Sequence, residues 1–235
     1  MSIADNIARI RERISKTAQR ARRNPDSILL MAVSKTVEPE RIRQAYNAGI
    51  RAFGENRVQE LSEKLAALQD LPDAEWYLIG HLQTNKVKRA AEICHRLDSV
   101  DSLRLAQKLN QAAQQNGKRL PVLIEVNVGG EENKNGLAPD SPELREVLQG
   151  MQTLEHLQVC GLMTIPPYTE DPQGARPYFR KLRDLRDAII ALKPPGIEMN
   201  VLSMGMSHDF EVAVEEGSTC VRVGTAIFGD RPKPQ

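Results

Sequence analysis

Ser27-Ile-Leu-Leu-Met-Ala-Val33 is a continuous apolar run, too short for a helix of its own, and Ser34-Lys35-Thr36 follows it directly. Runs of this kind suit strands buried on both faces of a parallel sheet. A helical stretch comes next, from about Pro39 to Ala48, with proline near its first turn and Gly49 just past its end. The same alternation then repeats along the chain. Short apolar strands are expected at Ile50–Phe53, Trp76–Ile79, Leu97–Val100, Val122–Val128, Val159–Leu162, Met199–Leu202 and Val221–Val223. Helical patterns lie between them at Val58–Leu68, Asn85–Ile93, Leu103–Gln115, Glu143–Met151, Ala175–Leu192 and Phe210–Glu216. Ahead of the first strand, Ile3, Ile7, Ile10 and Ile14 recur at helical spacing and predict an amphipathic opening helix within about residues 1–24. The Arg20, Arg22, Arg23 cluster falls at its carboxyl end, where cations are favoured, and Asn24-Pro25 stops it.

Alternating strand and helix throughout implies right-handed crossovers and a parallel sheet. Eight such units fit a single closed (β/α)8 TIM barrel better than an open sheet. No GxGxxG follows the first strand, which speaks against a dinucleotide-binding sheet. The Pro/Gly-rich pieces Thr164–Gly174 and Lys193–Gly196 read as loops inside one domain spanning 1–235, and residues 230–235, with two prolines, as a frayed tail.

Composition bounds the function. Of the 235 residues, 40% are hydrophobic and 27% charged, ordinary for a globular chain that buries a sizeable core. Thirty-two Lys plus Arg against 31 Asp plus Glu leave a net charge of +1, which argues against a nucleic-acid footprint or a polybasic membrane surface. No apolar run approaches the roughly 18 residues that spanning a bilayer needs. The opening MSIADNIARIRERI carries charges inside its apolar pattern, unlike a signal peptide. Cys94, Cys160 and Cys220 are sparse, odd in number and lack a CxxC pair, which points to a reducing cytoplasm rather than a disulfide framework. Absence of a long hydrophobic surface helix is compatible with a monomer.

A barrel carries its working groups at the carboxyl ends of its strands. Strand one ends in Lys35, and two readings of it stand: a solvated loop lysine, the commoner kind, or a desolvated amine whose lowered pKa frees it to attack a carbonyl. Strand seven ends in Ser203-Met204-Gly205-Met206-Ser207, and the last strand reads Cys220-Val-Arg222-Val-Gly224-Thr225, with Arg222 on the face opposite Val221 and Val223. Two small-residue loops there could seat a phosphate, or could simply pack tightly at the rim; Arg222 could equally be a buried ion-pair member. Asn56 and His81 end strands two and three at the same mouth. The four histidines have no ligand-like spacing with Cys, Asp or Glu, so no metal is expected, and Cys220 reads as an inert buried thiol rather than a nucleophile paired with His208. A carbonyl-seeking lysine and an anion cradle across one mouth are what pyridoxal 5′-phosphate (PLP) needs.

Six stretches carry a resemblance: AVSKT (Ala32–Thr36), FGENRVQE (Phe53–Glu60), IGHLQTNK (Ile79–Lys86), GLM (Gly161–Met163), LSMGMSHDF (Leu202–Phe210) and GSTCVRVGTAIFG (Gly217–Gly229). In this order, from about Ile28 to Gly229, they resemble the pyridoxal phosphate homeostasis protein family. The resemblance implies a barrel like that of alanine racemase, with PLP held as an internal aldimine on Lys35. It implies Arg222 facing the pyridine nitrogen, Ser203 and the amides of Gly224 and Thr225 around the phosphate, and Asn56 on the cofactor side near the lysine. His81 and Met163 sit on matching segments. It further implies a carrier that buffers PLP or delivers it to PLP-requiring apoenzymes, without an established catalytic activity.

Two rival functions remain at this point. An amino-acid racemase-like enzyme needs a second acid/base group opposite the lysine, yet Tyr46 and Tyr77 read as packing residues and Tyr168 and Tyr178 lie around the loop after strand six. Alanine racemase completes its site with a second, β-rich domain, for which 235 residues leave no room once the barrel is counted. A cofactor-free barrel enzyme acting on a phosphorylated metabolite through Lys35 would carry no chromophore.

Overall fold

The computed structural model describes residues 2–229, so the expected fraying of 230–235 lies outside the described residues. Eight parallel strands close into a barrel in sequence order. They are β1 (Leu29–Val33), β2 (Ala52–Glu55), β3 (Glu75–Leu78), β4 (Arg96–Val100), β5 (Leu120–Glu125), β6 (Leu157–Met163), β7 (Ile197–Ser203) and β8 (Cys220–Val223). The seam pairs β1 with β8 from Leu29 opposite Cys220 to Ala32 opposite Val223. The helices are α1 (Ile3–Arg20), α2 (Pro39–Asn47), α3 (Val58–Ala67), α4 (Val87–Ile93), α5 (Leu103–Gln115), α6 (Pro142–Met151), α7 (Arg176–Leu192), α8 (Phe210–Glu215) and α9 (Thr225–Phe228). The expected alternation is therefore present, and every predicted helix forms within a few residues of its expected span.

The outer ring is completed from the other end of the chain. Among the described residues only the single turn of α9 follows β8, and α1 fills the remaining place against α2, α8 and α9. Ser2 and Asp5 start α1 as a reciprocal capping box, the Asp5 amide donating to Ser2 Oγ at 3.1 Å and the Ser2 amide to Asp5 Oδ2 at 3.0 Å. Its stripe of Ile3, Ile7, Ile10 and Ile14 is buried. Cross-links tie it down, among them Asn6 Nδ2 to the Ile227 carbonyl at 2.9 Å, Arg11 Nη2 to the Gly49 carbonyl at 2.8 Å and Arg13 to Glu211 at 2.7 Å, and just past its end Arg23 donates to the Val214 carbonyl at 2.6 Å.

Strand alternation sorts side chains into two layers. Leu30, Ala32, Phe53, Trp76, Leu78, Val221 and Val223 face the helices and join the main core. Met31, Val33, Ala52, Tyr77, Ile79 and Cys220 form a small separate cluster inside the barrel. Beside that cluster lie charges: Arg96 donates in fork geometry to Asp98 at 2.6 and 2.9 Å and lies 4.5 Å over the Tyr77 ring. Tyr77 thus packs inside the barrel, while Tyr46 sits outside under the Arg51 guanidinium.

One strand ends earlier than expected. The apolar run to Val128 predicts a longer β5, but the strand stops at Glu125, and Val126 pairs only with Leu137 in a single bridge. Asn127 is the cause. Its side chain donates to the Glu131 carbonyl at 2.9 Å and accepts from the Glu131 amide at 3.3 Å, folding the chain back over the barrel mouth. Among the described residues no helix is long and apolar enough to cross a membrane.

Ile10, 2% exposed, reports whether α1 belongs to the core. Ile10→Ala is expected to cost about 2–5 kcal/mol in urea denaturation; a loss below about 1 kcal/mol would show that α1 is an accessory rather than a wall of the barrel.

Candidate functional site

Strand ends converge on a cavity of about 360 Å³ at the carboxyl-terminal mouth, lined among others by Lys35, Asn56, His81, Glu125, Ser207, Arg222, Gly224 and Thr225. A larger hollow of about 690 Å³ lies against α7, but its walls, such as Arg176, Arg180 and Lys181, contain no strand end. In a barrel the mouth, not the largest surface hollow, is where side chains from different strands meet.

Lys35 is half-buried just past β1, between two residues that are held rigidly. The Ser34 amide donates to the Gly54 carbonyl at 3.0 Å, and Thr36 takes the left-handed conformation at φ 63°. Beneath them lies an ion cluster centred on Lys64 of α3, whose Nζ donates to the Ser34 carbonyl at 2.6 Å and to Glu55 Oε1 and Glu60 Oε1 at 2.7 Å each. Ser34 Oγ donates to the same Glu55 oxygen at 2.6 Å, and the Thr36 amide donates to Glu60 Oε1 at 2.5 Å. Burial raises the Glu55 carboxyl above its ordinary range against the pull of Lys64. At Glu60 burial also works upward, but the bonds from Lys64 and Thr36 outweigh it and hold that carboxylate low. Both neighbours of Lys35 are thereby fastened to one buried cation. Lys64 was not singled out by the sequence reading; the available signal was its place three residues after Leu61 and four before Leu68, on the apolar face of α3.

Opposite Lys35, Arg222 is 3% exposed, its Nη1 donating to Ser203 Oγ at 2.8 Å and its Nη2 to the Thr164 carbonyl at 2.7 Å. Burial pulls this guanidinium below its ordinary value, while Cys220, Asp98, Glu125 and Asp209 pull the other way. The loop after β7 is tied to β8 by the Arg222 amide, which donates to the Gly205 carbonyl at 2.9 Å, and to itself by the Met206 amide on Asp209 Oδ1 at 2.6 Å. Ser207 Oγ therefore faces the start of α9 and accepts from the amides of Gly224 and Ala226 at 3.3 Å each. Hydroxyl and amide donors gather on this side of the cavity.

The remaining wall comes from β2 to β5. A Cβ on Gly80 would come within 2.4 Å of the Asn56 carbonyl, so only glycine lets the loops after β2 and β3 touch and brings Asn56 and His81 together. His81 Nδ1 pairs with Asp101 Oδ2 at 3.0 Å. Glu125, at the end of β5, is 7% exposed and its Oε2 has no hydrogen-bond partner. Burial, reinforced by Asp101 and opposed by Arg222, pushes its carboxyl up to about 7.

Lys35, Asn56, Arg222, Gly224 and Thr225 thus meet at one cavity, with His81 on its rim. Ser203 does not line it. This residue is fully buried beneath Arg222, and the hydroxyl on the cradle side is that of Ser207, four residues on. Ser203 sits in register with Cys220 and beneath Arg222, whereas Ser207, in the loop beyond, lines the cavity. Met163 is fully buried in β6, paired with Glu125 and Ser203. Cys220 lies inside the barrel, its thiol raised by burial, while His208 is held by the carbonyls of Thr169 and Glu170, so the two make no nucleophile pair. Glu125 was absent from the sequence-stated site because β5 was expected to run past it.

With this geometry in view, the likeness to known proteins is extensive. The family model described as "Alanine racemase, N-terminal domain" matches residues 5–232. The pyridoxal phosphate homeostasis protein of Aquifex aeolicus is 49% identical over 231 residues, covering 98% of this chain and 99% of that one. The chain belongs to the pyridoxal phosphate homeostasis protein family. The solved structure of PipY from Synechococcus elongatus PCC7942, with PLP bound, superposes with a TM-score of 0.84 at 37% identity, covering 97% of this chain and 100% of that one. An alanine racemase from Clostridium difficile 630 shares the fold alone, with a TM-score of 0.73 at 17% identity over 97% of this chain and 57% of that one. This homeostasis-family chain thus has a barrel with the fold of the alanine racemase N-terminal domain.

Two measurements test the electrostatics. Lys64→Met, which strands Glu55 and Glu60 without their shared cation, is expected to cost about 3–5 kcal/mol in denaturant unfolding. Adding Glu55→Gln should recover part of that loss, and strict additivity of the two changes would refute the cluster. For Glu125, the carboxyl rises from 4.5 in the unfolded chain to about 7 in the folded one. The folded state therefore binds its proton more tightly, and this group's stabilising effect is full below about pH 4.5 and is lost as pH rises through about 7. Glu125→Gln does not titrate, so its stability relative to the parent should climb across that window by roughly 3 kcal/mol; parallel stability curves would refute the shift.

Proposed function

We propose that the cavity holds PLP attached to Lys35 Nζ as a Schiff base, and that the protein serves PLP homeostasis by buffering the cofactor or delivering it to apoenzymes rather than by turning over a substrate. The observation that carries this is the convergence, at one mouth, of Lys35, the buried Arg222 and a cradle of hydroxyl and amide groups, in a chain 37% identical to PipY, a protein solved with PLP.

The donor set fits the group. When bound, PLP supplies an aldehyde carbon, a pyridine nitrogen and a phosphate dianion. Ser207 Oγ, the amides of Gly224 and Thr225 and the Thr225 hydroxyl offer hydrogen bonds to the phosphate. Arg222, held in place by Ser203 and Thr164, presents donors to an unprotonated pyridine nitrogen. Asn56 lies beside Lys35 on the cofactor side. The Lys64 cluster fixes Ser34 and Thr36 and so aims the Lys35 stem between them.

The same residues favour holding over catalysis. A permanently charged guanidinium beside the ring nitrogen disfavours a second positive charge there and so weakens the ring as an electron sink. Among the described residues no tyrosine lines the cavity to act as a second acid or base. Tyr168, 80% exposed, lies tilted against His208, a residue of the cavity wall, but does not itself line the cavity.

Purified protein is expected to be yellow, with an imine absorbance band that Lys35→Ala removes. A colourless protein that cannot be reconstituted with PLP would favour a cofactor-free enzyme on a phosphorylated metabolite. Arg222→Ala should weaken cofactor retention by tenfold or more and shift the band; unchanged affinity and spectrum would remove Arg222 from the site. Holoprotein incubated with L-alanine and other L-amino acids should leave their chirality intact, and steady turnover would establish a racemase instead.

A further inference from the structure

The cavity has two chemically different halves. Around Ser207, Gly224 and Thr225 it offers donors to an anion, whereas the wall at the end of β5 carries the Glu125 carboxyl. Glu125 is more than nine-tenths buried, lines the cavity with Lys35, and keeps one carboxyl oxygen without a hydrogen-bond partner. A buried polar atom left unsatisfied is costly, so its persistence calls for a group that visits it. The nearby cations do not fill that place. Arg222 spends its two terminal nitrogens on Ser203 and Thr164, and His81 is turned to Asp101. The chain packs against Glu125 from behind: Leu137 donates to its backbone carbonyl at 2.9 Å, and Gly136 leaves room for its Cγ where a Cβ would stand 3.2 Å away. The carboxyl is thereby confined to the cavity side.

We infer that the Glu125 half of the cavity is a subsite for a primary amine, which displaces Lys35 from the cofactor and so releases it. The inference rests on the cofactor reading given above. An incoming amine arrives as an ammonium ion and is drawn to the Glu125 carboxylate; it must lose a proton before its nitrogen can attack. Glu125 takes that proton. The amine nitrogen then forms the new bond to the cofactor's aldehyde-derived carbon, the bond from that carbon to Lys35 Nζ breaks, and the proton passes from Glu125 to the departing lysine amine. No oxidant or co-reactant enters, and the cofactor leaves as the imine of the amine. A carboxyl titrating near neutrality suits both halves of this exchange. The groups that face it and set its charge are Arg222 from β8, Asp101 with His81 beyond β4 and β3, and Lys35 from β1.

The test uses PLP-loaded protein. Cofactor release into the filtrate is followed by absorbance and mass spectrometry as methylamine or Nα-acetyl-lysine is added, each variant being compared with its own spontaneous loss. The release rate should rise and then saturate with amine concentration, and the filtrate should contain the cofactor–amine imine. Trimethylamine, which cannot form that bond, should do nothing. Glu125→Gln should lower the amine-driven increment by tenfold or more; should that variant not fold, Glu125→Asp, with its carboxyl drawn back, gives the same comparison. A linear dependence on amine, release by trimethylamine, or an undiminished increment in the variant would each overturn the subsite. Saturation with Nα-acetyl-lysine alone would place the amine on a protein lysine, and with methylamine alone on a small free amine; both support the subsite. Failure to load PLP at all shows in the spectrum before any amine is added and sinks the cofactor reading instead.

Discussion

Closure of β1 onto β8 decides where the chemistry can be. With Ala32 opposite Val223, the residues just past each strand become neighbours, and Lys35 shares one cavity with Arg222, Gly224 and Thr225 although most of the chain separates them. The seam has little to hold it from outside, since α9 contributes one turn and the long α1 must cover the gap. Its cations are spaced by the same register: Lys35 just beyond the rim, Arg222 inside it, and Lys64 behind α3 under the β1 end.

Charge placement within the barrel follows a gradient of burial. Low in the barrel, Arg96 and Asp98 satisfy each other completely. Higher up, Arg222 is satisfied by neutral acceptors, a hydroxyl and a carbonyl, which leaves its charge uncompensated by direct contact and open to whatever sits above it. At the rim, Glu125 has an oxygen with no partner. Polar groups in a packed interior are ordinarily paired, and the Glu125 oxygen at the mouth departs from that rule.

Most of the fold was legible because its signals are local. Short apolar runs, helical spacing and glycine or proline at the breaks are written within ten residues of each element, and the α1 stripe of isoleucines needs no partner to be read. The end of β5 was misjudged because Val126 and Val128 are apolar, while the deciding event is a side-chain hydrogen bond of Asn127 to a residue four positions on. Lys35, Asn56, Arg222, Gly224 and Thr225 were found at strand ends, where a barrel exposes its side chains. The motif places Ser203 at the strand end, where it is buried, and it is Ser207, four residues on, that lines the cavity. Lys64 is not legible for another reason: its importance lies in burial among partners from other elements, which no spacing rule records.

The placement of α1 also sets an order of assembly. This helix is translated before any strand of the barrel, yet it packs on α8 and α9, which flank β8. Its isoleucines stay uncovered through nearly the whole of synthesis, and the seam it covers forms only when both ends are present. Long-range contacts of this kind slow folding and leave apolar surface open to other chains while it proceeds. The barrel is therefore completed as a unit rather than piece by piece, and a nascent chain stalled before β8 carries an exposed amphipathic helix.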